Sequence, residues 1–186
     1  DADVIVSSYR QRVNQKFNLF ANRQPRQKGQ IFVEISAFGS TGPWHQRAGF
    51  DQNGQVVSGF AMTEGHNRIP RFSPVFYLND LLTGHLATIG ILAALLKRSQ
   101  DGGSYRVRVN LARTAMWVES LGLVDDQQIQ QLPTTDTYPV NNLETHQTDY
   151  GPLTYPGPFV EGANIFKRSQ DCLHPYGANP AEWQTI

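Results

Sequence analysis

Asp80 is the acid that stands at the head of the longest apolar run in the chain. In "FYLNDLLTGHLATIGILAALLKR" it precedes sixteen residues, Leu81 to Leu96, that carry no formal charge, and the run closes on Lys97 and Arg98. Two roles are open to such a residue. As a helix cap it would accept the unpaired amide hydrogens of the first turn. As a reactive group it would stay ionised beside the positive end of the helix while apolar walls shield it from water, which suits a nucleophile or a base. Residue types and spacing alone leave both open. His85, one turn further on, could share its face, although a histidine here reads first as a satisfied helix residue.

The other chemistry-bearing residues are scattered. His45, His66, His85, His146 and His174 have no second ligand at helical spacing, so no metal site is expected. Cys172, the only cysteine, has no neighbouring base and does not read as a nucleophile. It also excludes an internal disulfide framework and fits a reducing, cytoplasmic compartment. "GSTGPW" has two glycines but no following Lys-Ser/Thr, and so is not the phosphate loop of nucleotide triphosphatases.

At 186 residues the chain can bury a real core. Sixteen basic and sixteen acidic residues leave it formally neutral, which argues against nucleic acid as a partner held by bulk charge. The opening "DADVIVSSYR" lacks the basic and apolar regions of a signal peptide, and the Leu81–Leu96 run is short for a bilayer, so no membrane partner is expected. Because the chain enters a strand almost at once, it reads as beginning partway through a larger domain.

These residues need elements to position them. "ADVIVSSY" and "GQIFVEISAFG" are β-branched apolar runs and read as strands, the second closed by the "GSTGP" turn. Val13, Phe17 and Phe20 recur at helical spacing in the segment between them. Asp51–Met62 reads as a helix weakened by Gly54 and Gly59. Residues 78–98 form the strongest helix, with apolar residues on nearly every face, so burial on most sides is expected. In "YRVRVNL" Tyr105, Val107, Val109 and Leu111 alternate with Arg106, Arg108 and Asn110, a strand with one face wet or paired with acids. "ARTAMWVESLGL" is a further helix. From Val124 the chain turns polar and rich in Pro, Gly and Gln, and reads as an extended excursion over the surface, ending in a tail that Trp183 could anchor. Strand–helix alternation of this kind is an α/β layout with an open, largely parallel sheet, flanking helices and an extended C-terminal tail.

The stretches "ADVIVSSYRQRV", "ISAFGSTGPWHQRAGFDQNGQVVSGFAM", "LNDLLTGHLATIGILAALLKRSQDGGSYRVRVNLARTAMW" and "HPYGANPAEW" follow one another in the order found in family III coenzyme A transferases, which the sequence resembles. The resemblance implies part of the large domain of such an enzyme over 1–123, a polar linker at 124–147 where the family has its small domain, and a segment at 148–186 that docks back. It implies that Asp80 is the nucleophile, moving coenzyme A from an acyl-CoA to a carboxylic acid through an aspartyl-CoA thioester. It also implies that Arg10, Lys16 and Arg47 meet the coenzyme A nucleotide. The family's proline and glycine after Arg10 are Gln11 and Arg12 here. Racemases of the family carry a histidine where this chain has Phe50, which cannot move a proton, so transfer is favoured over racemisation. Asp51 beside it is expected either to orient substrate or Asp80, or simply to cap the helix that follows. The family's interlocked dimers imply a second copy, or a sister half-domain, as partner. A non-catalytic half is the rival expectation.

Overall fold

A computed structural model describes residues 2–18, 29–65, 68–75, 77–125, 128, 143–157, 173–178 and 180. His66, Cys172 and Trp183 lie outside the described residues. The chain divides into two compact units, Asp1–Leu123 and Val124–Ile186.

The first unit is built on three parallel strands in the order β1 (Val4–Ser7), β2 (Ile31–Ser36), β3 (Tyr105–Asn110). Val4 faces Ile31 across one ladder, and Ile31 faces Tyr105 across the other. A parallel ladder needs a crossover rather than a hairpin. Helix α1 (Gln11–Lys16) lies in the first crossover, and α2 (Asp51–Ser58), α3 (Phe60–Thr63) and α4 (Leu78–Asp101) fill the second. Helix α5 (Leu111–Ser120) leaves β3 directly, and Asn110 caps it by accepting a 2.8 Å hydrogen bond from the Arg113 amide. The expected single helix over 51–62 is two helices, because Gly59 takes a left-handed conformation (φ 92°) that ends the first and starts the second.

The core is the seam between α4 and the sheet. Ile31 and Val33 have no exposed surface, and Ala87 and Ala94 of α4 pack on them with Ile91, Leu95 and Val107. Gly90 sets the distance: a Cβ there would stand 2.6 Å from Cγ1 of Val107. The lower end of the seam is tied by Arg98, which donates to Asp3 at 2.9 Å.

Helix α4 departs from the expected burial on most sides. Its buried residues are Asn79, Thr83, Ala87 and Ala94, a stripe of small or polar side chains at helical spacing. Four large aliphatics lie on the opposite stripe and face outward: Leu81 is 55%, Ile89 62%, Leu92 61% and Leu96 61% exposed, while Ile91 and Leu95 pack at the border of the core. Uniform hydrophobicity hid the difference between a buried stripe of small or polar residues and an exposed aliphatic one. Small residues let the helix approach the sheet, and the elements described in this unit cover that side alone. By length and composition the 24-residue helix would also cross a bilayer.

In the second unit the expected surface excursion contains a regular element. Strands β4 (Leu143–Thr148) and β5 (Gly151–Pro156) form an antiparallel hairpin. Thr145 and Thr154 hydroxyls meet at 2.9 Å across it, and His146 stacks on Tyr155 with ring centroids 5.4 Å apart. Leu143, Leu153 and Tyr155 are the large apolar or aromatic residues of the two strands, too few to mark them in sequence by alternation.

Candidate active site

Both halves of the candidate site sit where parallel α/β sheets gather their loops, at the carboxyl ends of the strands. Because α4 runs back along the sheet into β3, its amino terminus lies at this same end. The residue before the helix, Tyr77, is in the left-handed region (φ 55°, ψ 40°) and offers no side-chain cap. Exposed first-turn amides are costly when shielded from water, so a partner must come from elsewhere.

That partner is Asp51. Its side chain is 1% exposed, and Oδ2 accepts hydrogen bonds from the amides of Asn79 (2.7 Å) and Asp80 (3.1 Å). Oδ1 accepts from Nε2 of Gln55, whose own Oε1 takes the Ser73 amide at 2.8 Å. Asp51 thus stands in the first turn of α2 while capping α4, the two positive helix ends sharing one carboxylate. Asn79 extends the network by donating from Nδ2 to the Asp51 carbonyl at 3.4 Å. Gly54 leaves room for that amide, since a Cβ there would come within 3.1 Å of Nδ2.

Asp80 is therefore relieved of capping. Its side chain is exposed, and among the described residues its carboxylate has no hydrogen-bond or ion-pair partner. Partial burial, and then the negative charge of Asp51, hold its pKa above the ordinary aspartate value. The two readings open at the sequence level are divided between two acids: Asp51 does the capping, and Asp80 projects with a more basic carboxylate. His85 bonds the Leu81 carbonyl at 2.7 Å through Nδ1 within the same helix.

A cavity of about 580 Å³ runs over the sheet from Arg106 and Glu34, within β3 and β2, to the segments that follow β1 and β2. Arg10, Arg47 and Phe50 line it together, whereas Lys16, Asp51 and Asp80 are not among its walls. Lys16 lies instead over the Phe17 ring, 5.4 Å from its centroid. Phe50 is 74% exposed, and its amide donates to Oδ1 of Asn53 at 2.9 Å. His45 also borders the cavity and bonds the Gly42 carbonyl at 2.7 Å. Among the described residues no group of three or more His, Cys, Asp or Glu side chains could hold a metal ion.

Sequence reasoning missed the Gln55–Asn79 part of the capping network and the floor of the cavity. Glu34 lies there between Arg108 (2.8 Å) and Arg106 (3.8 Å), all three lining the space. The arginine alternation in β3 was the available signal, since one strand face that wet requires acids or a ligand opposite it.

Comparison with known proteins identifies the family and the fold. CoA-transferase family III matches residues 1–156. The acetyl-coenzyme A transferase nodX of Hypoxylon pulicicidum is 34% identical over 134 residues, which is 68% of this chain and 23% of that protein. The formyl-CoA:oxalate CoA-transferase of Escherichia coli O139:H28 is 29% identical over 109 residues, 59% of this chain and 26% of that protein. The orthorhombic crystal structure of Rv3272 from M. tuberculosis superposes with a TM-score of 0.57 at 25% identity, covering 79% of this chain and 39% of that one. A CaiB/BaiF family protein from Brucella suis shares the fold, with a TM-score of 0.55 at 21% identity over 81% of this chain and 41% of its own. The chain spans about a quarter of the length of these two curated relatives. With a match running through both strand–helix crossovers and into the hairpin, this chain belongs to CoA-transferase family III.

Proposed function

We propose that the chain carries the acyl-accepting aspartate of a CoA-transferase, and that this residue is Asp80. One observation carries the reading: the job that would have consumed Asp80, capping α4, is done by buried Asp51. An ionised carboxylate held at a helix amino terminus without a local partner is poised to attack an electrophilic carbonyl.

In the proposed reaction an Asp80 oxygen attacks the thioester carbon of an acyl-CoA. The carbon–sulfur bond breaks, coenzyme A leaves as thiolate, and a mixed anhydride remains on the enzyme. The thiolate then attacks the aspartyl carbonyl, expels the donor acid as carboxylate, and leaves an aspartyl-CoA thioester. An acceptor carboxylate attacks that thioester, forming a second anhydride and again freeing the thiolate. Attack of the thiolate on the acceptor's carbonyl yields the new acyl-CoA and restores Asp80. No net proton or electron is consumed. The amides at the start of α4 are committed to Asp51, so oxyanion stabilisation at Asp80 comes from the positive end of the helix as a whole. Asp51 is a positioning residue: it fixes the first turn and keeps Asp80 basic. Arg10 and Arg47 hold the nucleotide end of coenzyme A in the cavity. Phe50 leaves the site without the proton carrier that racemisation needs.

A second reading, in which the chain is a non-catalytic half that pairs with a sister domain, is favoured by the outward aliphatic stripe of α4. Addition of acyl-CoA separates the two. A transferase acquires a hydroxylamine-sensitive adduct on Asp80, and Asp80→Asn does not. A protein that folds, binds coenzyme A and acquires no adduct is the pairing half.

A further inference from the structure

We propose that Arg106, Glu34 and Arg108 form a phosphate-binding floor in the cavity, taking the phosphate-bearing end of a nucleotide while Arg10 and Arg47 close on it from the walls. This rests on the reading of coenzyme A as substrate and adds residues to it. The register explains the cluster. Arg108 is directly opposite Glu34 on the neighbouring strand and Arg106 is diagonal to it, which matches their contacts of 2.8 and 3.8 Å. Side chains two residues apart on a strand share a face and lie roughly 7 Å apart. Both guanidiniums thus converge on one anion-sized space, and Glu34 occupies it.

Charge makes this more than a cross-strand pair. The chain is formally neutral, yet among the described lining residues Arg10, Arg47, Arg106 and Arg108 stand against one carboxylate, Glu34. The arginine side chains are 43% and 51% exposed and that of Glu34 is 22% exposed, so the cations reach into the cavity and their counter-ion sits beneath them. Half-exposed ion pairs are weak, so exchanging the Glu34 contacts for those of a ligand costs little. Arginine's planar fork matches phosphate oxygens in pairs, and several charges converging select a polyanion. The cavity volume suits a nucleotide rather than a small dicarboxylate. Tyr9 (64% exposed) and Phe50 (74% exposed), also in the lining, offer ring faces to a base.

The test is calorimetric titration of the protein with adenosine 3′,5′-bisphosphate, which has neither thiol nor acyl group. The expected result is saturable binding that weakens with added salt, at least tenfold weaker in R106Q/R108Q. Glu34→Gln, which removes the resident counter-ion, should bind the probe more tightly; a purely structural strand pair would not behave so. Thermal melts confirm that each variant folds. Equal binding by wild type and R106Q/R108Q, or weaker binding by Glu34→Gln, overturns the proposal. So does displacement of the probe by succinate as effectively as by inorganic phosphate, which would make the floor a carboxylate site. Failure of Asp80 to form an adduct while the probe still binds would sink the transferase reading and leave the phosphate floor standing.

Discussion

At the residue scale the account turns on the division of labour between two neighbouring aspartates. Desolvation and the Asp51 charge raise the pKa of Asp80, so the folded protein binds its proton more tightly than the unfolded chain does. The contribution to stability is therefore fully present below the ordinary aspartate pKa and is lost as pH rises through the folded value. Asp80→Asn should remove that loss: its melting temperature relative to wild type should be higher at neutral pH than in acid, as read by paired thermal melts. Catalysis runs the other way, because only the ionised form attacks. The acid limb of the pH–rate profile is expected above the ordinary aspartate range. Asp51→Asn, which removes the repulsive charge while keeping an oxygen acceptor for the helix amides, should move that limb to lower pH. A limb that does not move in Asp51→Asn would mean that Asp51 acts on Asp80 by geometry alone.

At the element scale the site depends on how closely α4 and α5 are held. Gly90→Ala would place a methyl 2.6 Å from Val107 Cγ1 and push α4 off the sheet. Overpacking of this kind costs about 1–3 kcal/mol, against a helix-propensity gain of at most about 1 kcal/mol, so the net effect is destabilising. Val107→Ala in the same chain should restore most of the loss in urea denaturation, which a general intolerance of alanine at 90 would not allow. Asn110→Ala removes the α5 cap and should cost about 0.5–2 kcal/mol in the same assay. The elements themselves were legible from β-branched runs, turn residues and helical spacing. Two features were not. The break at Gly59 depends on a backbone conformation that glycine permits but does not dictate. The hairpin at 143–156 has few large apolar residues, so pairing rather than pattern defines it.

At the scale of the whole molecule, the sequence marked Asp80 as the acid of interest but could not say what Asp80 would be spared from doing. That answer lies 29 residues away in Asp51, on another helix, where only folding joins them. Arg10 and Arg47 reached one cavity and Lys16 did not, because a six-residue helix turns its last side chain onto Phe17. The buried small-residue stripe and the exposed aliphatic stripe of α4 were likewise hidden, since hydropathy counts alanine and leucine on the same side. The outward stripe of Leu81, Ile89, Leu92 and Leu96 has a consequence for the isolated chain. Contiguous exposed aliphatics bind hydrophobic dyes and partners alike. Leu92→Glu with Leu96→Glu should lower dye fluorescence several-fold without lowering the melting temperature; unchanged fluorescence would mean that the stripe is covered in solution.

The most direct measurement is mass spectrometry of the protein quenched during turnover with acetyl-CoA and an acceptor acid. The account predicts a coenzyme A thioester on the peptide that contains Asp80, converted to a hydroxamate by hydroxylamine and absent from Asp80→Asn. Acyl transfer that proceeds with no modification of that peptide, or that persists undiminished in Asp80→Asn, would contradict it.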